Sequence, residues 1–162
     1  MKPVFVHPER IEFELTDRTE RSFLFLRHVY RVRVWDGFCL RDSEGWEWRP
    51  EDKVFDSDGA SVPHPVDWVI PAFDGWRYRR SAAGIHDPAC RTGRLERRRG
   101  GTETAWEIVE VPRWKADWLL REGVEAEGGW WLTQKCYWGG VRVGAGVLRL
   151  RKGMARLCGA EA

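Results

Sequence analysis

Trp76-Arg77-Tyr78-Arg79-Arg80-Ser81-Ala82-Ala83-Gly84-Ile85-His86-Asp87-Pro88-Ala89-Cys90 is the stretch whose reading decides the fold. Tyr78, Ala82, Ile85 and Ala89 recur at spacings of three and four, the period of one buried face of a helix. His86 falls one turn beyond Ala82, beside that apolar stripe. Pro88 has no backbone donor, so it is expected to kink or end the helix.

Downstream, a second helix is expected from Pro112, a residue suited to a first helical turn, through Trp114, Asp117, Trp118 and Arg121 towards Val124. A third helical or mixed segment follows Gly128-Gly129 and carries Trp131, Leu132 and Tyr137. Upstream, the pattern switches to period two. Ile11-Glu12-Phe13-Glu14-Leu15 alternates apolar and polar, Phe23 to Val34 interleaves Arg27, Arg31 and Arg33 with Phe, Val and Tyr, and Trp46 and Trp48 flank Glu47. Asp36-Gly37 and Ser43-Glu44-Gly45 supply the turns. The expected fold class is α+β, with an N-terminal antiparallel β-meander packed on a small helical part that carries the His-Asp and Ala-Asp helices.

A chain of 162 residues suits a single domain able to bury a core without staples. Its expected parts are a β-rich section over 1–55, loop and helices over 56–146, and a basic, poorly ordered tail over 147–162. Arg91 to Gly101 reads as a basic, solvated loop with phosphate binding as the lesser alternative, and Glu103 to Val111 as a short strand or an insertion between helices.

The net charge of +2 gives no case for nucleic acid. No apolar run approaches a membrane span, and the start Met1-Lys2-Pro3 lacks the apolar core of a signal peptide. The expected location is therefore the cytoplasm. Cys39, Cys90, Cys136 and Cys158 lack paired spacing and are expected to be reduced thiols. The 11 tryptophans suit core packing or, alternatively, an assembly or lipid-facing surface.

Three elements carry candidate chemistry: the loop Asp58-Gly59-Ala60-Ser61-Val62-Pro63, the pair His86-Asp87, and Asp117. Adjacent residues on a helix point about 100° apart, so His86 and Asp87 face different partners. Asp117 is placed to hold the His86 ring by one nitrogen, leaving the other to deprotonate water. Asp87, with loop oxygens near Asp58 and Gly59, suits a hard cation such as calcium, which would polarise an ester carbonyl. The alternative is a buried polar network that fixes the helices.

These residues resemble the phage and prophage family known as domain of unknown function 1353. The matching positions are Asp58 to Pro63, Trp68 with Pro71, Ala82 to Asp87, Arg91, Arg113 to Asp117 and Tyr137 to Arg142, covering roughly residues 20 to 146. The chain departs from the family pattern where Cys90, after Pro88 and Ala89, replaces the usual aromatic, and where Arg91 to Arg113 is longer. The resemblance implies a phage or prophage protein; the leading expectation is a virion- or tail-associated structural module with other phage structural proteins as partners, beside host-takeover or regulatory roles. A looser likeness links His86-Asp87-Pro88-Ala89-Cys90 to the His-Asp-x-Cys-Tyr wording of secreted phospholipases of the A2 class. It implies His86 as general base, Asp117 as its orienter, Asp87 as a calcium ligand with carbonyls from Asp58-Gly59, and lipid as substrate.

Overall fold

The computed structural model describes residues 1–22, 25–57 and 78–139. The expected tail, Cys158 and the Asp58–Pro63 loop lie outside them. The α+β class holds: the N-terminal region is strand-rich and supplies six strands to two antiparallel sheets, helices follow from Arg79, and two later strands complete the larger sheet.

The strands are β1 (Val4–Val6), β2 (Ile11–Ser22), β3 (Phe25–Val34), β4 (Cys39–Arg41), β5 (Trp46–Arg49), β6 (Val54–Ser57), β7 (Arg94–Arg99) and β8 (Glu107–Glu110). One sheet has the order β2-β3-β6, the other β1-β4-β5-β7-β8. In β2 and β3 the register pairs Ile11 with Val34 and Phe13 with Val32, so the period-two apolar residues share the core face. The register shifts between Leu15 and Thr19, and there the Thr16 hydroxyl donates to the Val29 carbonyl at 2.7 Å.

Arg91 to Gly101 does not form the expected solvated loop. Arg94–Arg99 is strand β7, paired with β5 on one side and β8 on the other. Leu95 enters the core, and the arginines lie over aromatic rings. Arg97 sits 4.3 Å from the Trp46 ring centre, and Arg98 4.4 Å from that of Trp106. The expected short strand in Glu103–Val111 is present as β8.

The first helical run has three parts: α1 (Arg79–Ser81), a π-helical turn (Ala82–His86) and α2 (Asp87–Thr92). Of the two outcomes expected at Pro88, a kink or an end, the run does not end there but is distorted just before it. Within the π turn the Asp87 N–H reaches back to the Ala82 carbonyl. The wider turn just before Pro88 accommodates a residue that cannot donate to the ladder. The run ends at Gly93, whose φ of 72° is the left-handed conformation that glycine adopts without penalty. Helix α3 (Arg113–Ala126) starts from an extended Pro112, and a further helical segment covers 131–139.

The predicted stripe is buried throughout: Tyr78, Ala82, Ile85 and Ala89 are all at most 2% exposed. Ile85, Ala83 and Ala89 pack with Phe5, Ile11, Val32, Phe38, Leu40 and Leu119, while Tyr78 and Ala82 join Leu120, Val124 and Tyr137. Gly84 lets the helix settle on the sheets, because a Cβ there would lie 2.9 Å from Ile11 and 3.2 Å from Phe38. Helix-to-sheet packing thus fixes the face that carries His86.

Candidate functional site

The sequence set His86 on one helix and Asp117 on the next, and the fold brings them together. His86 Nε2 lies 3.0 Å from Asp117 Oδ1. Both are buried, His86 being 7% and Asp117 2% exposed. Ser81 meets Gly123, and His86 meets Asp117, so the two helices run in opposite directions past each other.

Two further side chains complete the cluster. Cys90, one turn after His86, places its Sγ 3.4 Å from His86 Nε2. Arg113, one turn before Asp117, donates Nε–H to Asp117 Oδ1 at 3.1 Å. Both follow from the i,i+4 spacing of helix neighbours, a signal present in the sequence but assigned there only to family wording. Burial pushes the Asp117 carboxyl up, but hydrogen bonds and charge from His86 and Arg113 outweigh it and hold the group below its ordinary value. Burial drives the Cys90 thiol up to about 12.

Asp87 pairs outside this cluster, although its charge reaches Cys90 and, after burial, helps to raise that thiol's pKa. Its Oδ1 accepts from Arg91 Nε at 3.2 Å. The other calcium ligands inferred from sequence, Asp58 and Gly59, lie outside the described residues. Within those residues the donors that converge are His86, Cys90 and Asp117, whose ligand atoms all lie within 4.8 Å of one another. They comprise an imidazole, a thiol and a carboxylate.

Other buried polar groups brace the same helices. Glu127, after α3, accepts from the Ser81 backbone N–H at 3.1 Å and from its hydroxyl. Glu122 accepts from the Ser43 hydroxyl, and Lys115 of α3 lies 3.6 Å from Asp42, whose carboxylate also accepts from Trp48 Nε1 at 2.8 Å. The tryptophans differ in burial. Trp48 is buried, whereas Trp114, Trp130 and Trp131 are at least half exposed. Cys39, Cys90 and Cys136 are free thiols. Among the described residues no helix is long and apolar enough to cross a membrane.

No family model matches the chain, and no match was found among curated proteins or solved structures. The resemblance to the phage family therefore rests on the motif residues themselves.

Proposed function

We propose that this chain is a phage- or prophage-encoded structural or assembly module of the virion or tail, and that its His86–Asp117 cluster is a joint holding two helices at a fixed spacing. The observation that carries this reading is the burial of both groups together with the saturation of one carboxylate oxygen. Asp117 Oδ1 accepts from Arg113 Nε and faces His86 Nε2, so the polar group is satisfied by protein. Exposed Trp114, Trp130, Trp131 and Leu132 supply apolar surface for other phage structural proteins. The location is the host cytoplasm and then the particle. The test is fractionation of particles released by the producing host. Co-sedimentation of the chain with intact particles, at fixed stoichiometry and resistant to salt washing, supports the reading. Recovery only in the soluble fraction overturns it.

A second reading has one observation in its favour. Asp117 holds the His86 ring through Nε2, which in a phospholipase A2-like ester hydrolase would leave Nδ1 as the base that deprotonates water. Calcium held by Asp87 with Asp58 and Gly59 would polarise the ester. Calcium-dependent release of fatty acid from phospholipid vesicles, lost in His86→Gln and Asp87→Asn, would favour this reading over the first.

A further inference from the structure

We infer that His86, Cys90 and Asp117 form a binding site for a transition-metal dication, zinc above all, between the first helical run and α3. This deepens the joint reading of the cluster and rests on it.

The geometry is that of a metal site seen from its donors. A zinc ion takes imidazole and carboxylate at about 2.0 Å and thiolate at about 2.3 Å in a tetrahedral arrangement. Those lengths put nitrogen and oxygen donors about 3.3 Å apart, and nitrogen and sulfur about 3.5 Å apart. The two edges that join at His86 Nε2 measure 3.0 Å to Asp117 Oδ1 and 3.4 Å to Cys90 Sγ. The third edge, from Asp117 to Cys90, lies within 4.8 Å, against about 3.5 Å around a tetrahedral ion, so binding draws those two side chains towards each other. His86 and Cys90 share one face of the helical run by their i,i+4 spacing, and Asp117 closes the set from across the helix interface.

The donor chemistry selects the metal. Calcium takes oxygen ligands, and this cluster offers one carboxylate against a thiol and an imidazole. Those softer donors suit zinc. On binding, the Cys90 thiol gives its proton to solvent and coordinates as thiolate, and His86 coordinates as neutral imidazole through Nε2. Arg113, now beside Asp117, has a side chain 40% exposed and can withdraw into water when a dication takes its place. Three protein donors leave one tetrahedral position for a solvent molecule.

The test uses the full chain, stripped with chelator and titrated with cobalt(II), then with zinc. The expected result is one cobalt per chain, with the thiolate-to-cobalt charge-transfer band and the strong visible bands of tetrahedral cobalt, both abolished by zinc. Cys90→Ser loses the charge-transfer band and at least tenfold in affinity, while Cys136→Ser keeps both. Zinc at a hundredfold excess over its Kd raises the Tm of the unmodified chain by about 5–10 °C. Absence of cobalt bands and of any zinc-induced Tm shift, or a band that survives Cys90→Ser, overturns the site. The joint reading fails separately: metal-free His86→Gln retaining the unmodified chain's metal-free Tm would remove it, whatever the metal result.

Discussion

Gly123 of α3 lies directly against Ser81 of α1, so closely that a Cβ on the glycine would sit 2.7 Å from the Ser81 hydroxyl and 3.2 Å from its Cα. At that point the two helices meet with almost nothing between them. Farther along both, the same closeness brings the short Asp117 side chain to the His86 ring. The site is thus a consequence of helix spacing, and the spacing is set by a missing side chain.

Gly123→Ala should therefore destabilise the fold, despite a helix-propensity gain of about 1 kcal/mol. Overpacking against the short Ser81 side chain and its Cα typically costs about 1–3 kcal/mol, so a net loss of up to about 2 kcal/mol is expected. Gly84→Ala makes a useful contrast. Its new methyl meets the ends of Ile11 and Phe38, which are side-chain atoms able to shift, so its net cost should be smaller. Urea denaturation of both variants checks the order. An Ala at 123 tolerated better than one at 84 would show that the helices are free to part.

The His86–Asp117 contact should show coupling in a double-mutant cycle. Asp117→Asn leaves Arg113 free to turn to water, because that side chain is 40% exposed, but it strips the buried ring of its carboxylate. A loss of about 2–3 kcal/mol is expected, below the range for a fully enclosed ion pair. The coupling to His86→Gln should be about 1–3 kcal/mol, measured by urea denaturation of the metal-free proteins. Additive effects would mean that the two groups are neighbours without interaction.

The thiols offer a test of burial. Desolvation and the nearby Glu47 charge push Cys39 up to about 12, and it is fully buried. In the native protein at pH 7–8 it should react with a disulfide reagent far more slowly than the partly exposed Cys136, since the thiolate is the attacking species. Denatured without reductant, the chain should yield four free thiols, one for each cysteine in its sequence. Mass spectrometry of the labelled peptides separates the rates, and fewer than four thiols would reveal a disulfide.

How far the sequence could be read depended on how local the signal was. The stripe Tyr78, Ala82, Ile85 and Ala89 is a property of twelve consecutive residues, and it is buried as its period requires. His86 and Asp117 were legible because each stands beside such a stripe on successive helices. Strand β7 was not legible. Its sequence, Arg-Leu-Glu-Arg-Arg-Arg, has one apolar side chain, and what makes it a strand lies almost fifty residues earlier. Trp46, Glu47 and Trp48 of β5 stand opposite Arg99, Arg98 and Arg97. Rings and a carboxylate on one strand receive guanidinium groups from the other, a match that no window along the chain contains. The π-helical turn escaped for a similar reason, since Pro88 alone predicts a kink or an end and packing of Gly84 and Ile85 into the core keeps the helix going.

That cross-strand match gives the protein a measurable acid sensitivity. Glu47 is 2% exposed, and its carboxylate accepts from Arg41 at 2.5 Å and Arg98 at 2.7 Å. Burial pushes its pKa up, but the hydrogen bonds and charges of the two arginines win, so the folded pKa lies below the ordinary 4.5. With a lowered folded value, the unfolded chain binds the proton more readily. The stabilisation is therefore complete well above pH 4.5 and drains away as pH falls through 4.5 towards the folded pKa. Glu127 works in the opposite sense. Burial outweighs its bonds to Ser81 and Arg80 and raises its pKa, so its contribution is greatest in acid and is lost as pH rises through the folded value. Glu47→Gln should cost about 2–3 kcal/mol at pH 7, because both arginines lose a charged acceptor yet can reach water. The gap from the unmodified chain should narrow steadily below pH 4.5. Glu127→Gln should compare best with the unmodified chain at neutral pH and worst in acid. Urea midpoints measured from pH 3 to 8 give both curves, and a Glu47→Gln deficit that stays constant across that range would show that the pair contributes through shape rather than charge.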